Sequence, residues 1–554
     1  MHQMRAMREE HDYIVIGAGS AGSVIAARLS EDEGASVCLL EAGPSDGHYS
    51  IRMPAAISIN IKGRRYNWGY LSEPQSALGG KCISLPRGRV LGGSSSLNGM
   101  IFIRGHAYDY DGWEEDRAKG WGYRHVLPYF KRLEAFEGGA SLYRGGSGPV
   151  PVRSGSLTDP LHQTFLEAGE QAGFPRTADV NGYQQYGVGT FDKNIAGGER
   201  WSASRAYLGP ARRRRNLTIR TGAQATRIVL EGRRAAGVEL VVEGREQVLR
   251  PKREIILCAG AFDSPKLLML SGIGNPDDLH RFGIPLAAPL RGVGRNLQDH
   301  TEVHIQHRCR EPITLYGDLK PARRLLAGAQ WFLTRSGPAA TNHYDTGAFL
   351  STDGSQCHAN IQYHFVPIVY NNSVERRVDC HGYRLHAGPM RPASRGKVAL
   401  RSADWRDAPV IDPRYFSEER DWREMRRIVE IARHLFAQPA FGKYRDVEMS
   451  PGADIRGGKA LDDFIRAWGD TGYHPAGTCR MGEGEEAVVD AECRVHGIEG
   501  LRVVDASIMP MIASGNLNAP VMMMAEKASD MILGRPPLPP EEAPVYETER
   551  RRIP

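Results

Sequence analysis

The sequence predicts an α/β protein in two parts. One is a doubly wound, Rossmann-type β-α-β nucleotide-binding fold; the other mixes strands and helices. Three observations predict it. A buried strand, a glycine-rich turn, a helix and a second buried strand follow one another within about thirty residues near the N-terminus. Strand-like segments return at residues 217–257. Residues 311–460 carry no dinucleotide motif, yet mix strand-like runs (NIQYHFVPIVY) with helical ones (WREMRRIVEIARHLF).

The first strand is DYIVIG, residues 12–17. It runs into Gly17-x-Gly19-x-x-Gly22, which opens the amphipathic stretch SVIAARLSEDE, and then into SVCLLEAG, which carries Glu41 at its end. A lone GxGxxG is weak. Between a strand and a helix, with an acidic residue 19 positions after its last glycine, it is a dinucleotide fingerprint. Gly17 permits the tight turn, Gly19 lets a pyrophosphate approach the backbone, and Gly22 lets helix and strand pack closely. The helix N-terminus offers unpaired amides to the phosphates, and Glu41 can accept from ribose hydroxyls. The cofactor at this point is NAD or FAD. A glycine-rich, hydroxyl-rich loop at 86–105 is suited to a second part of an extended cofactor, and a loop-rich region continues to about residue 155. Residues 217–257 read as several strands, with a hairpin at Glu231-Gly232. GAFDSPKLLMLSGIG (260–274) reads as a strand exit into a helix. In VVDASIMPMIASGNLNAP (503–520), Asp505 ends a strand and a loop leads to the helix VMMMAEKASDMIL. Residues 535–554 are proline-rich and charged, and are expected to form a poorly ordered tail.

Composition narrows the function. Of 554 residues, 41% are hydrophobic and 25% charged, ordinary globular values that allow more than one core. No apolar run reaches 18 residues, so no transmembrane helix is expected. No secretory leader is visible, and a cytoplasmic location is expected. The eight cysteines form no CxxC pair, which argues against a thiolate zinc site and a disulfide framework; no metal site is expected. Net charge is +6. The basic run ARRRRN (211–216) has no interleaved aromatics and is expected to be a solvated turn, not a nucleic-acid surface.

Through GRVLGGSSSLNGMIFIRG and GAFDSPKLLMLSGIG above all, the chain resembles the glucose–methanol–choline (GMC) oxidoreductases from Asp12 to about Leu533. Its second half, including NHYDTGAF and GYRLHAGPMRPASRGKVALRSADWRDAPVIDPRYF, resembles the choline dehydrogenase members. The resemblance implies FAD, held by a discontinuous domain of residues 12–155, 200–310 and 465–534. It implies a substrate domain on an antiparallel sheet from residues 156–199 and 311–464. Cofactor contacts are expected at Gly17, Gly19, Gly22, Glu41, Val90, Gly93, Ser94, Asn98, Gly99, Ala225, Asp505 and Asn518. A family histidine that links covalently to the flavin in some members corresponds here to Leu97, so non-covalent FAD is expected.

The implied reaction is oxidation of a primary alcohol to an aldehyde, with hydride transfer to flavin N5. His474, in HPAGTCRMG, is the expected base and Asn516 its partner, with Asn518 as the competing assignment. An imidazole of pKa about 6.5 suits removal of the hydroxyl proton, and a carboxamide can orient the substrate oxygen without adding charge. Pro520 predicts a helix start here, whose N-terminus would stabilise negative charge on reduced flavin by about 0.3–2 kcal/mol. The electron acceptor, a quinone-type carrier or dioxygen, stays open, as does peripheral membrane contact. So does the alcohol, choline or another; a lyase with structural FAD is the alternative on the same fold. A quaternary ammonium wants aromatic faces and a carboxylate. Trp68, Trp331, Tyr344, Tyr363 and Phe365 are candidate faces, and Asp345 stands where choline dehydrogenases are expected to carry Glu.

Overall fold

The structure, a computed structural model, describes residues 9–352, 358–371 and 376–547. Cys357 and the end of the tail, 548–554, lie outside the described residues. Along the chain come β1 (Glu9–Ile16), α1 (Ser20–Leu29), β2 (Val37–Glu41), α2 (Ile57–Lys62), α3 (Tyr123–Leu133) and β3 (Gly187–Thr190). Then follow β4 (Leu217–Thr221), β5 (Ala223–Glu231), β6 (Arg234–Val242), β7 (Arg245–Leu257), α4 (Gly260–Leu270) and β8 (Thr301–Cys309). The remainder comprises α5 (Pro321–Thr334), β9 (Thr346–Leu350), β10 (Ile361–Val366), β11 (Gly382–Pro389), α6 (Glu419–Ala437), β12 (Arg445–Ser450), β13 (Leu501–Val503) and α7 (Asn518–Ile532).

The first sheet runs β4-β2-β1-β7-β13, all parallel, and β6 and β5 extend it as antiparallel strands on the first half of β7. Tyr13–Ile16 of β1 and Val37–Leu40 of β2 are buried apolar runs, as expected of parallel strands covered on both faces. Strand order reverses on either side of β1. In such sheets the crevice at the carboxyl ends of the strands is where a nucleotide binds. The N-terminus of α1 stands at that crevice.

The second sheet runs β12-β8-β11-β10-β9-β3, antiparallel throughout. Its period-2 alternation sorts side chains by chemistry. Val303, Ile305, Tyr363, Phe365, Tyr383 and Leu385 point to one face, where they pack with Phe436 of α6 and with Phe441. The opposite face collects Glu302, His304, Gln362, His364, Arg384 and His386. Register puts His304 and His364 directly across from His386.

Three expectations change. Strand β8 pairs in the antiparallel sheet, so the division at residue 310 places it in the wrong part. An alternating strand carries no label for the sheet it joins. The tail from 535 to 547 forms no helix or strand, yet it is docked rather than loose. Glu541 N–H donates to Arg124 O at 2.9 Å, Lys131 pairs with Glu541, and the Tyr546 and Tyr183 rings meet at 5.7 Å. A proline-rich segment makes no internal ladder, so its polar groups turn to neighbours. The arginine run is likewise only partly a solvated turn: Arg214 donates to Ala27 O and Ser30 Oγ at the end of α1. Among the described residues the seven cysteines are free, and no helix is long and apolar enough to cross a membrane.

Candidate active site

Two of the crevice's three glycines leave no room for a side chain. Gly17 has φ +95°, and a Cβ there would fall 2.6 Å from Cys258 O. A Cβ on Gly22 would lie 1.9 Å from Gly17 O, whereas one on Gly19 would meet nothing within 4 Å. Two glycines therefore close the turn, and the third faces open space at an uncapped helix start. Gly22→Ala is expected to cost about 1–3 kcal/mol by overpacking and to lower the flavin-to-protein absorbance ratio of the purified enzyme.

Glu41, buried at the end of β2, accepts from Ala18 N at 3.1 Å and Gly43 N at 2.8 Å. Burial pushes its carboxyl up to about 7, so hydroxyl donors from a ribose would favour its ionised form. The second loop leans on the first: a Cβ on Gly93 would lie 2.7 Å from Gly19 Cα. Val90 is buried beside Leu97. The loop's far end is fixed by Arg200, which donates to Asn98 O at 2.7 Å and Asn98 Oδ1 at 2.9 Å.

A cavity of about 950 Å³ runs from this loop to the second sheet. Ser94, Asn98, Gly99, Asp505 and Asn518 line it, and so do His474, Asn516 and Glu302. Asp505 accepts from Ser264 Oγ at 2.6 Å and Gly260 N at 2.8 Å. Ala225 is not on the cavity. It sits on β5 opposite Leu240, near the point where Gly222 N donates to Gly43 O at the end of β2. Asn518 Oδ1 accepts from Ser20 Oγ at 2.7 Å, but its buried Nδ2 has no partner among the described residues. That donor, the uncapped starts of α1 and α7, and the open space at Gly19 fit an extended dinucleotide carrying phosphates and hydrogen-bond acceptors.

His474 is held rigidly. Its N–H donates to Asp299 Oδ1 at 2.7 Å, and Asp299 also accepts from Thr471 Oγ1 at 2.6 Å. Tyr473, just before it, takes the left-handed conformation with φ +67°, a strain that recurs at functional sites. Hydrogen bonding then fixes its tautomer. His300 Nε2 lies 2.8 Å from Met390 O, which can only accept, so Nε2 carries the His300 proton and Nδ1 does not. His300 Nδ1 is 3.0 Å from His474 Nδ1, so the His474 proton sits on Nδ1 and Nε2 keeps its lone pair. Asn516 Nδ2 approaches that Nε2 at 3.2 Å, while its Oδ1 accepts from Gln362 Nε2 at 3.1 Å. Burial, with His300 and His364 nearby, holds His474 well below the usual imidazole range, so the ring is neutral and basic at Nε2.

A carboxylate stands on the same cavity. Glu302 Oε1 accepts from His304 Nε2 at 2.9 Å and from His386 Nδ1 at 3.0 Å. Burial opposes its ionisation, but the two rings hold it well below the usual carboxylate range. Tyr344, Tyr473 and His364 line the cavity with it, and the Tyr344 ring lies 5.8 Å from that of His386.

The GMC oxidoreductase sequence models match residues 11–302 and 392–525. The chain is 48% identical to the mitochondrial choline dehydrogenase of Homo sapiens over 98% of its own length and 92% of that protein. It is also 48% identical to the oxygen-dependent choline dehydrogenase of Brucella anthropi, over 96% of each. Its fold is similar to pyridoxine 4-oxidase from Mesorbium loti, at TM-score 0.86 and 33% identity over 95% of this chain and 100% of that one. A formate oxidase variant from Aspergillus oryzae RIB40 gives 0.88 and 26% over 95% and 98%. The chain belongs to the GMC oxidoreductase family.

This GMC oxidoreductase is an FAD-dependent enzyme acting on CH–OH groups. Its structure redistributes the ammonium-binding candidates. Asp345 is not on the cavity: it pairs with Lys193, accepts from Ser156 N at 2.7 Å and lies 3.6 Å from His162 Nε2. It is a buried ion-pair residue of the substrate domain, so its position in NHYDTGAF says nothing about ammonium binding. Tyr363 and Phe365 face the core behind the sheet, and Trp331 is buried with its Nε1 donating to Gly198 O at 2.8 Å. Trp68 and Tyr344 do line the cavity. Sequence reasoning missed Glu302, His300, Tyr473, His364 and His386. The signal was present: E-V-H, Y-H and R-L-H sit in strand-like runs, where every second residue shares a face. Glu302, His304 and His386 also bring three donor atoms within 4.8 Å of one another, a cluster that spacing along the chain cannot reveal.

Proposed function

We propose that this enzyme oxidises choline, or a closely similar primary alcohol bearing a quaternary ammonium group, to the aldehyde. The observation that carries the reading is Glu302: an ionised, largely buried carboxylate on the cavity that holds His474, with tyrosine and imidazole rings beside it. A trimethylammonium group donates no hydrogen bonds, so it is recognised by charge and by aromatic faces, and this pocket offers both. The names of the 48% identical relatives support the same substrate.

Glu302 holds the cationic end and sets the reach of the hydroxyl toward His474. Nε2 of His474 takes the hydroxyl proton, which turns the α-carbon into a hydride donor. His300 keeps the His474 proton on Nδ1 and so keeps Nε2 available. Asn516, not Asn518, is the second active-site residue: its amide reaches the reacting nitrogen, while Asn518 binds Ser20. Bound FAD supplies the acceptor for the hydride. The start of α7 at Asn518, with Pro520 in its first turn, places unpaired amides where they favour negative charge. Anaerobic mixing with choline is expected to bleach the flavin band, and a band that persists would overturn the reading. Admitting air and timing the return of colour then separates an oxidase from a dehydrogenase.

The cofactor is held without a covalent bond at the second loop, because Leu97 offers no nucleophile. Acid precipitation is expected to leave the yellow colour in the supernatant; a yellow pellet would contradict it.

A further inference from the structure

The arginine run beside α1 borders a second hollow. The helical turns Ser204–Leu208 and Gly209–Ala211 bury Ala206, Tyr207, Leu208 and Ala211 in the core of the nucleotide fold. Residues 205, 209, 212 and 213 recur at the three-to-four spacing of one helix face. That face lines a hollow of about 490 Å³, shared with residues 46, 51 and 52. Its charge is one-sided: Arg52, Arg200, Arg205, Arg212 and Arg213 line it, against a single carboxylate, Asp46. Arg205 pairs with Glu199, but Arg52, Arg212 and Arg213 pair with no carboxylate among the described residues. Like charges gathered in one concavity repel one another and attract an anion.

Arg200 says what kind of anion fits. It is only 2% exposed. Its Nε donates to Ile51 O at 2.9 Å, and its Nη1 to Ser95 O at 3.2 Å and Asn98 O at 2.7 Å. Its Nη2 is buried and has no partner among the described residues. Burial alone pulls this guanidinium down to about 9. An anion beside it would offset that desolvation and satisfy the idle donor. Guanidinium forks match both carboxylates and phosphates, but a terminal phosphate offers three acceptor oxygens and can engage several forks at once.

We propose that this hollow is a binding site for a small phosphate-bearing anion, with the buried Arg200 at its base and the exposed Arg212 and Arg213 at its rim. The test is calorimetric titration of the purified, FAD-loaded full-length enzyme with sodium pyrophosphate, at an ionic strength matched with sodium chloride. Saturable binding is expected, and succinate, which offers only carboxylates, is expected to bind more weakly. The double variant Arg212→Ala/Arg213→Ala is expected to weaken pyrophosphate binding by about tenfold or more. Its turnover should be unchanged, since neither side chain lines the active-site cavity. Arg215 is an exposed neighbour in the same run that does not line the hollow, so Arg215→Ala should bind as the parent does. Any of four results would overturn the proposal. One is the absence of saturable heat, and another is succinate binding as tightly as pyrophosphate. A third is equal weakening by Arg215→Ala and the double variant, which marks diffuse charge. The last is release of flavin as pyrophosphate binds, which puts the anion in the cofactor's own cradle.

Discussion

Replacing His474 by alanine is expected to lower kcat by about two to four orders of magnitude, the range for loss of a positioned base. The flavin spectrum should be unchanged, because His474 is fixed by Asp299, His300 and Asn516 and carries no part of the phosphate cradle. The pH profile gives an independent check. The base acts in its neutral form, and burial beside two other imidazoles holds its pKa well below 6.5. A depressed pKa means the proton binds only at lower pH. The acid limb of kcat/KM is therefore expected below pH 6.5, with activity retained as pH falls through that value. A limb half-lost above 6.5 would mean that His474 is not the titrating base, or that it is not buried as described.

Replacing Glu302 by glutamine removes a charge and keeps the shape. For choline, kcat/KM is expected to fall by roughly 30- to 150-fold, corresponding to about 2–3 kcal/mol for loss of a desolvated charge partner. The neutral isostere 3,3-dimethylbutan-1-ol separates charge recognition from general damage. Its kcat/KM should hardly change in the variant, so the preference for choline over the isostere collapses. Equal losses on both alcohols would mean that Glu302 supports the site through His304 and His386 without meeting the substrate.

The cofactor half of this site is readable along the chain because its chemistry is local. Gly17, Gly19 and Gly22 lie within six residues, and Glu41 follows at the end of the next strand; backbone sterics alone demand that pattern. The substrate half is different. Glu302, His364 and His386 stand on three strands that come together only through antiparallel register, and no spacing along the sequence announces that register. Asp345 shows the converse. Its neighbours in sequence suggested an ammonium partner, yet Lys193, 152 residues earlier, claims it. The histidine pair is intermediate: His474 stands out in a turn with proline and glycine, while His300 looks like any strand-end residue until its ring is seen beside the other.

The first and last helices among the described residues are neighbours. Arg28 of α1 grips Glu526 of α7, Ser20 reaches Asn518, and β13 adds its three residues to β7. The nucleotide sheet and the first helix therefore stay incomplete until residues beyond 500 have been made, on the order of half a minute or longer of synthesis. A message truncated ahead of that point would yield a product with neither pigment nor a covered first helix.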